Sequence, residues 1–248
     1  MKVLITGGSG ILGLEVAKII SNAGDSCILY DLVEPSEMPH RTEFVQGDIR
    51  DTALLRNSAL NCDYGIHLAV VSENHSDDNF FSTNVRGAYS FLKIANETKF
   101  QNTVVVGSAP VHLSIDSADK WPLMHTAKDD DRLYDLTKIL QEVITKDYHQ
   151  HGLPVLCLRL GHVVRGEACT NLKGTVALDD ITYCHGGWVA IEDVAQACWR
   201  ALKTEPVGQF QTLNLIGASP GYETYRVPEI EKLLNYKLRY RFSRYQNR

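Results

Sequence analysis

The sequence predicts an α/β protein, a Rossmann-type doubly wound parallel sheet with a small C-terminal substrate-binding lobe. Three observations carry that expectation. Short branched apolar runs alternate with segments of helical period through the first 160 residues. A glycine-rich turn, Gly7 to Gly13, joins the first strand to the first helix. An acidic residue, Asp31, closes the second strand.

The elements follow in order. Residues 2–6 (KVLIT) form a short run rich in branched residues and read as a buried strand. Residues 11–23 carry apolar side chains at 11, 12, 16, 19 and 20, a helical period. Strands are expected at 26–30, 43–46, 64–68, 103–106 and 155–160, each a compact apolar run. Asp51 is placed to cap a helix over 52–58. Longer helices are expected over 80–98 and 133–150, another over 191–203, a strand at 213–215 and a short helix from Pro228. Residues 116–131 and 165–187 read as polar loops, and the second is long enough to suggest a binding loop. Residues 1–160 are therefore assigned to a dinucleotide-binding domain carrying the catalytic residues. Residues 161–248 form the lobe, with helix 191–203 packing back on the first domain.

The glycine turn has a chemical meaning. Gly7 permits a tight turn, Gly10 lets the backbone approach a phosphate, and Gly13 lets the helix pack close to the sheet. The helix N-terminus then offers free N–H groups to a pyrophosphate. Asp31 is placed to accept hydrogen bonds from a ribose 2′-OH and to repel a 2′-phosphate. No Arg or Lys lies between Leu32 and Pro39, so NAD is favoured over NADP. Farther on, Tyr134 and Lys138 stand four residues apart on one helix face. A nearby ammonium and a positive nicotinamide ring would lower the pKa of a phenol and let it take a proton. Ser108, just past the fifth strand, can donate to a substrate oxygen.

Composition narrows the field. The 248 residues carry a net charge of −5, with charges dispersed, so there is no electrostatic case for nucleic acid or an anionic membrane as partner. No apolar run approaches the ~20 residues of a membrane span. The first strand begins at residue 2, leaving no room for a signal peptide. The six cysteines lack C-x-x-C spacing and read as reduced thiols of a cytoplasmic protein. The nine histidines lack H-x-x-H or H-E-x-x-H spacing, so no metal site is expected. The aspartates at 129–131 read as a solvated run ahead of the Tyr134 helix. The tail over 236–248 interleaves arginines with aromatics, and packing or fraying at a C-terminus is its expected role.

These motifs together resemble the extended short-chain dehydrogenase/reductase family, of the NAD-dependent epimerase/dehydratase type, over roughly residues 1–203. T-G-G-S-G-I-L-G at 6–13 resembles the family's T-G-G-x-G-x-x-G, and G-D-I-R-D at 47–51 its G-D-[IL]-x-D. H-L-A at 67–69, N-V-R-G at 84–87, S-A-P-V-H at 108–112, L-R-L-G-H-V-V-R-G at 158–166 and W-V-A-I-E-D-V-A at 188–195 match further family segments in order. The resemblance implies that Gly7, Gly10, Ile11, Leu12, Gly13, Asp31, Leu68, Ala69, Val70, Asn84, Tyr134, Lys138 and Leu160 bind NAD. It implies that Asp48 and Ile49 contact adenine and that Ser108, Tyr134 and Lys138 are catalytic. The reacting carbon must lie beside Tyr134, so the substrate pocket is expected to be bounded by Ser72, Ser108, Tyr134, His162 and the loop 165–187, with Arg165 placed to meet a substrate carboxylate.

The departures carry information too. His112 stands where the family usually has Tyr, His162 where Asn is common, and Val164 where Tyr is common. Ala109-Pro110 provides no acid where dehydratases place an acidic pair, which argues against 4,6-dehydration. The stretch after residue 160 is short for a lobe that clamps a nucleotide diphosphate, and the chain resembles compact uronate-dehydrogenase-like members. The expected activity is NAD-dependent hydride transfer on a small sugar or sugar acid. A nucleotide-sugar 4-epimerase and a non-catalytic dinucleotide-binding module are the alternatives. The family habit of pairing through the two long helices implies a homodimer.

Overall fold

A computed structural model describes residues 1–72, 75–109, 129–182, 187–205 and 210–245. Seven parallel strands form one sheet in the order β10-β6-β5-β4-β1-β2-β3. They are β1 (Lys2–Thr6), β2 (Ser26–Asp31), β3 (Thr42–Gln46), β4 (Tyr64–His67), β5 (Asn102–Ser108), β6 (Val155–Leu160) and β10 (Thr212–Leu215). Strand order reverses between β1 and β4, and the crevice above their C-terminal ends is where such sheets bind ligands.

The sheet is covered on both faces, so its strands read as continuous apolar runs. Successive side chains point to opposite faces. Val3 and Ile5 join one core with Val16 and Ile20 of α1 (Ile11–Asn22) and Val194 and Cys198 of α6 (Ile191–Leu202). Leu4 joins the other core with Leu55 of α2 (Thr52–Ala59) and Phe91 and Ile94 of α4 (Gly87–Glu97). Every residue of β5 is buried. Asp51 caps α2 as expected, its carboxylate accepting from the Leu54 amide at 3.0 Å.

Four features differ from the sequence reading. The helix expected over 80–98 is a composite: α3 (Asp77–Asn79), a π-helical stretch Phe80–Arg86, then α4. A π turn closes its hydrogen bond one residue later than an α turn, so apolar periodicity alone could not reveal it. Helix α5 (Asp129–Gln150) starts earlier than expected, so the aspartates at 129–131 lie within its first turn rather than ahead of it. Ser108 is the last residue of β5 and not the first residue beyond it. The loop expected over 165–187 contains β8 (Thr170–Asn171), which pairs with β7 (His162–Arg165), itself beside β9 (Trp188–Ala190), in a second, three-stranded sheet.

The C-terminal part is stitched to the main sheet. β10 extends the edge beside β6, with Leu213 level with Leu158. After α7 (Gly221–Thr224) and α8 (Val227–Leu233), the described part of the tail, to Tyr245, packs on the fold. Trp188, fully buried, meets Phe242 and Tyr245 edge-on at centroid separations of 5.7 and 5.2 Å. Asp193, at the start of α6 and fully buried, accepts from the Tyr236 hydroxyl at 2.7 Å and from the amides of Arg239 and Tyr240 at 2.9 and 3.1 Å.

Candidate functional site

The site is built where β1 runs into α1. Gly7 sits at φ +73°, a left-handed conformation that an L side chain rarely adopts, and a Cβ there would meet the Ala69 amide nitrogen at 2.6 Å. Gly13 lies against the turn itself, where a Cβ would come within 2.5 Å of the Gly7 carbonyl oxygen. The two glycines let the loop curl under the β4 end and let α1 seat on it. Gly10 caps α1, with no side chain occupying the helix's first amides and no acidic residue in the first turn. Those unpaired amides, with the positive end of the helix dipole, suit a pyrophosphate.

Above this loop lies a cavity of about 640 Å³. Gly7, Gly10, Ile11, Leu12 and Gly13 form its floor. One end is closed by Asp31, Asp48 and Ile49, the side by Leu68, Ala69 and Val70, and the far end by Leu160 and the β5–α5 residues Ser108, Tyr134 and Lys138. Asp31 is held by backbone amides, Oδ2 accepting from Ser9 at 2.9 Å and Oδ1 from Leu32 at 2.7 Å. Asp48 accepts from Arg50 through Nε at 2.9 Å and Nη2 at 2.5 Å, and the guanidinium holds its carboxyl below the usual carboxylate range. The Tyr30 hydroxyl donates to the Asp48 carbonyl at 2.8 Å, which fixes the loop that carries this carboxylate.

The three residues with proton chemistry converge from two elements. Ser108 ends β5; Tyr134 and Lys138 lie one turn apart on α5. The Ser108 hydroxyl hydrogen-bonds the Tyr134 phenol, which pulls its pKa down, but burial outweighs that, with Asp135 adding to it, and the phenol is pushed up to about 12. Lys138, 4% exposed, donates from Nζ to the Val106 carbonyl at 2.6 Å and to Gln141 Oε1 at 2.7 Å. Burial brings its pKa down to about 8. The ammonium expected to act on the phenol is thus anchored to β5 and Gln141, while burial dominates the phenol itself.

Several residues named from the sequence stand elsewhere. Asn84 is fully buried behind the cavity wall and does not line it. Its side chain grips the Val71 backbone, Oδ1 accepting from Val71 N at 2.8 Å and Nδ2 donating to Val71 O at 2.9 Å, and it also donates to Thr137 Oγ1 at 2.9 Å. Ser72 and His162 are exposed and outside the cavity lining. Arg165 donates to the Leu172 carbonyl at 3.0 Å, turned to its own loop. His112, Pro110 and Cys184 lie outside the described residues. The lining also holds residues the sequence reading passed over, among them Arg50, Thr83, Val163 and Leu172. Arg50 was visible inside G-D-I-R-D. Val163 and Leu172 carried no signal, because only the second sheet brings them to the cavity.

A doubly wound sheet whose switch point holds a glycine cradle, a carboxylate at the end of the second strand and a Ser/Tyr/Lys cluster defines a dinucleotide-binding class of protein. The chain belongs to the NAD dependent epimerase/dehydratase family, whose sequence model matches residues 3–175. It is similar to D-erythronate dehydrogenase of Cupriavidus necator, at 28% identity over 65% of this chain and 57% of that protein. It is also similar to UDP-glucose 4-epimerase of Halalkalibacterium halodurans, at 28% identity over 64% of this chain and 50% of that protein. The chain thus spans little more than half the length of these curated relatives. Among solved structures, a short-chain dehydrogenase/reductase superfamily protein from Agrobacterium tumefaciens with bound NAD superposes with a TM-score of 0.75, covering 100% of this chain and 95% of that one at 16% identity. That likeness confirms the fold.

Proposed function

We propose that this chain is an NAD-dependent oxidoreductase acting on a hydroxyl-bearing carbon of a small sugar or sugar acid. The observation that carries this is the meeting of Ser108, Tyr134 and Lys138 at one end of a cavity whose other end is a dinucleotide cradle. Binding alone needs no phenol hydrogen-bonded to a serine at the cavity's end, which weighs against a non-catalytic module. NAD supplies the hydride acceptor and, when oxidised, a positive charge beside the phenol. The chain's residues do the rest. The amides of the Gly7–Gly13 turn hold the pyrophosphate, Asp31 takes the ribose hydroxyls, and Asp48 meets the adenine. Ser108 donates to the substrate oxygen, and Tyr134 moves the hydroxyl proton. A phenol is protonated at neutral pH, and burial raises its pKa further, so Tyr134 is ready as an acid in reduction. It becomes a base once positive charge is placed beside it.

A small substrate is favoured by the lining. Among the described residues, Arg50 and Lys138 are the cationic side chains of the cavity, and Asp48 already pairs with the first. Arg165, the cation nearest to hand in the second sheet, is bonded to Leu172. With the Gly7–Gly13 amides given to the pyrophosphate of NAD, a second diphosphate on the substrate would call for several such donors of its own. A relative named D-erythronate dehydrogenase points the same way. We further place the protein in the cytoplasm as a homodimer. Among the described residues no helix is long and apolar enough to cross a membrane, and the described cysteines are free thiols. Tyr89 of α4 and Val143 of α5 are exposed apolar side chains on the two helices expected to pair.

The deciding experiment presents NAD with aldonates, uronates and free sugars on one side and UDP- and GDP-sugars on the other. NADH accumulating with a sugar or sugar acid, and falling at least ~100-fold in Tyr134→Phe, is the expected result. Conversion of a nucleotide sugar with no net NADH would replace this reading with the epimerase.

A further inference from the structure

Lys138 is held in an unusual way for a residue with an electrostatic task. An ammonium has three N–H donors. Two are spent on neutral oxygens, the Val106 carbonyl at 2.6 Å and Gln141 Oε1 at 2.7 Å. Among the described residues, no carboxylate forms an ion pair with it. Gln141 is 2% exposed, sits three residues beyond Lys138 on α5, and has no exit to solvent for its amide. Its Nε2 reaches the same Val106 carbonyl at 3.4 Å, so lysine, glutamine and strand carbonyl close a small ring.

The surrounding charges make the choice of an amide matter. On α5 itself, Glu142 is engaged by Arg159 of β6, at 2.5 and 2.9 Å. Cys157 of β6 is a neutral thiol, raised to about 12 by burial first and Glu142 second. His67 of β4 is a neutral imidazole, brought to about 3 by burial and by Lys138 itself. Tyr134 is a neutral phenol on the same helix. Every group facing the ammonium is therefore neutral or already paired. A carboxylate at 141 would cancel the charge; an apolar side chain would leave the ammonium short of an acceptor.

We infer that Gln141 is a positioning residue for Lys138: its amide oxygen pins the ammonium to β5 while leaving the positive charge uncancelled and one N–H free for a ligand in the cavity. The role of that charge in turnover rests on the oxidoreductase reading above; the positioning itself does not. A bound ribose hydroxyl is the chemistry the third donor fits, and an uncancelled charge is what a developing phenolate on Tyr134 needs.

The test reads Lys138 directly, with no cofactor present. Protein labelled with 13Cε-lysine is titrated by NMR, the Lys138 signal being the one lost in Lys138→Met. In Gln141→Leu the midpoint should fall by about one unit or more, because the charged form loses an acceptor. In the near-isosteric Gln141→Glu it should rise by about one unit or more, because the charged form gains a counter-charge. Midpoints unmoved from wild type in both variants would overturn the assignment. Should Gln141→Leu fail to fold, Gln141→Glu decides the matter alone: a raised midpoint supports the assignment and an unmoved one refutes it. Calorimetric titration of wild type with NAD runs alongside; failure to bind there counts against the proposed function and leaves the Lys138 result to be judged by itself.

Discussion

Truncating Asn84 to alanine separates a residue that touches a cofactor from one that shapes the wall behind it. In the structure Asn84 makes three hydrogen bonds at 2.8 to 2.9 Å, two of them to the Val71 backbone, and it is fully buried. The alanine leaves the Val71 N–H and C=O and one side of Thr137 without those partners. A buried polar group left unsatisfied costs about 1–3 kcal/mol. Val71 is only half-buried, so water recovers part of this, and the expected loss of stability is about 2–4 kcal/mol. Urea unfolding followed by circular dichroism should show a lower midpoint with an unchanged slope. NADH affinity should fall as well, because Ala69, Val70 and Val71 line the cavity and lose their anchor. If stability stays within about 0.5 kcal/mol of wild type while NADH affinity collapses, Asn84 acts on the ligand and the anchoring argument is wrong.

Other outcomes follow from the same geometry. Gly13→Ala places a Cβ 2.5 Å from the Gly7 oxygen and 2.6 Å from the Gly8 oxygen, so α1 must back away from its turn; a stability loss of about 1–3 kcal/mol and weaker NADH binding are expected in unfolding and fluorescence titrations. Calorimetry should find NAD bound at least tenfold more tightly than NADP, about 1.4 kcal/mol, with Asp31→Ser narrowing the gap. Lys138 carries a folded-state pKa of about 8 against an ordinary 10.5. Between those values the unfolded chain holds more protons than the native one, so wild-type stability gains as pH rises through that window. Lys138→Met lacks this gain, and unfolding free energies from urea titrations between pH 7 and 10 should shift in favour of wild type by at least about 1 kcal/mol.

The alternating strands and the glycine turn were readable because both are local. A parallel strand covered on two faces must be an apolar run, and a turn at positive φ calls for Gly7. The cavity floor and its Asp31 end followed from that single turn. The remainder depended on long-range pairing. The three-stranded sheet joins residues 162–165, 170–171 and 188–190, too short for periodicity to register. Asn84 was named as a ligand contact because its motif travels with the fold; only the packing of the π-helical stretch against Val71 reveals its task. Gln141 has no local signature, because its role depends on the Val106 carbonyl of β5, which only the folded sheet brings within reach of Lys138.

The buried carboxylate of Asp193 also bears on how the chain leaves the ribosome. Its three partners lie at residues 236, 239 and 240. When α6 emerges, those residues are still inside the exit tunnel or not yet made. Until they arrive, the Asp193 carboxylate lacks the three donors that replace water around it, and burial raises its pKa even with all three present. The segment from Tyr236 to Tyr240 is therefore the last piece the start of α6 needs. A chain stalled before Tyr236 would leave that carboxylate without any of these donors.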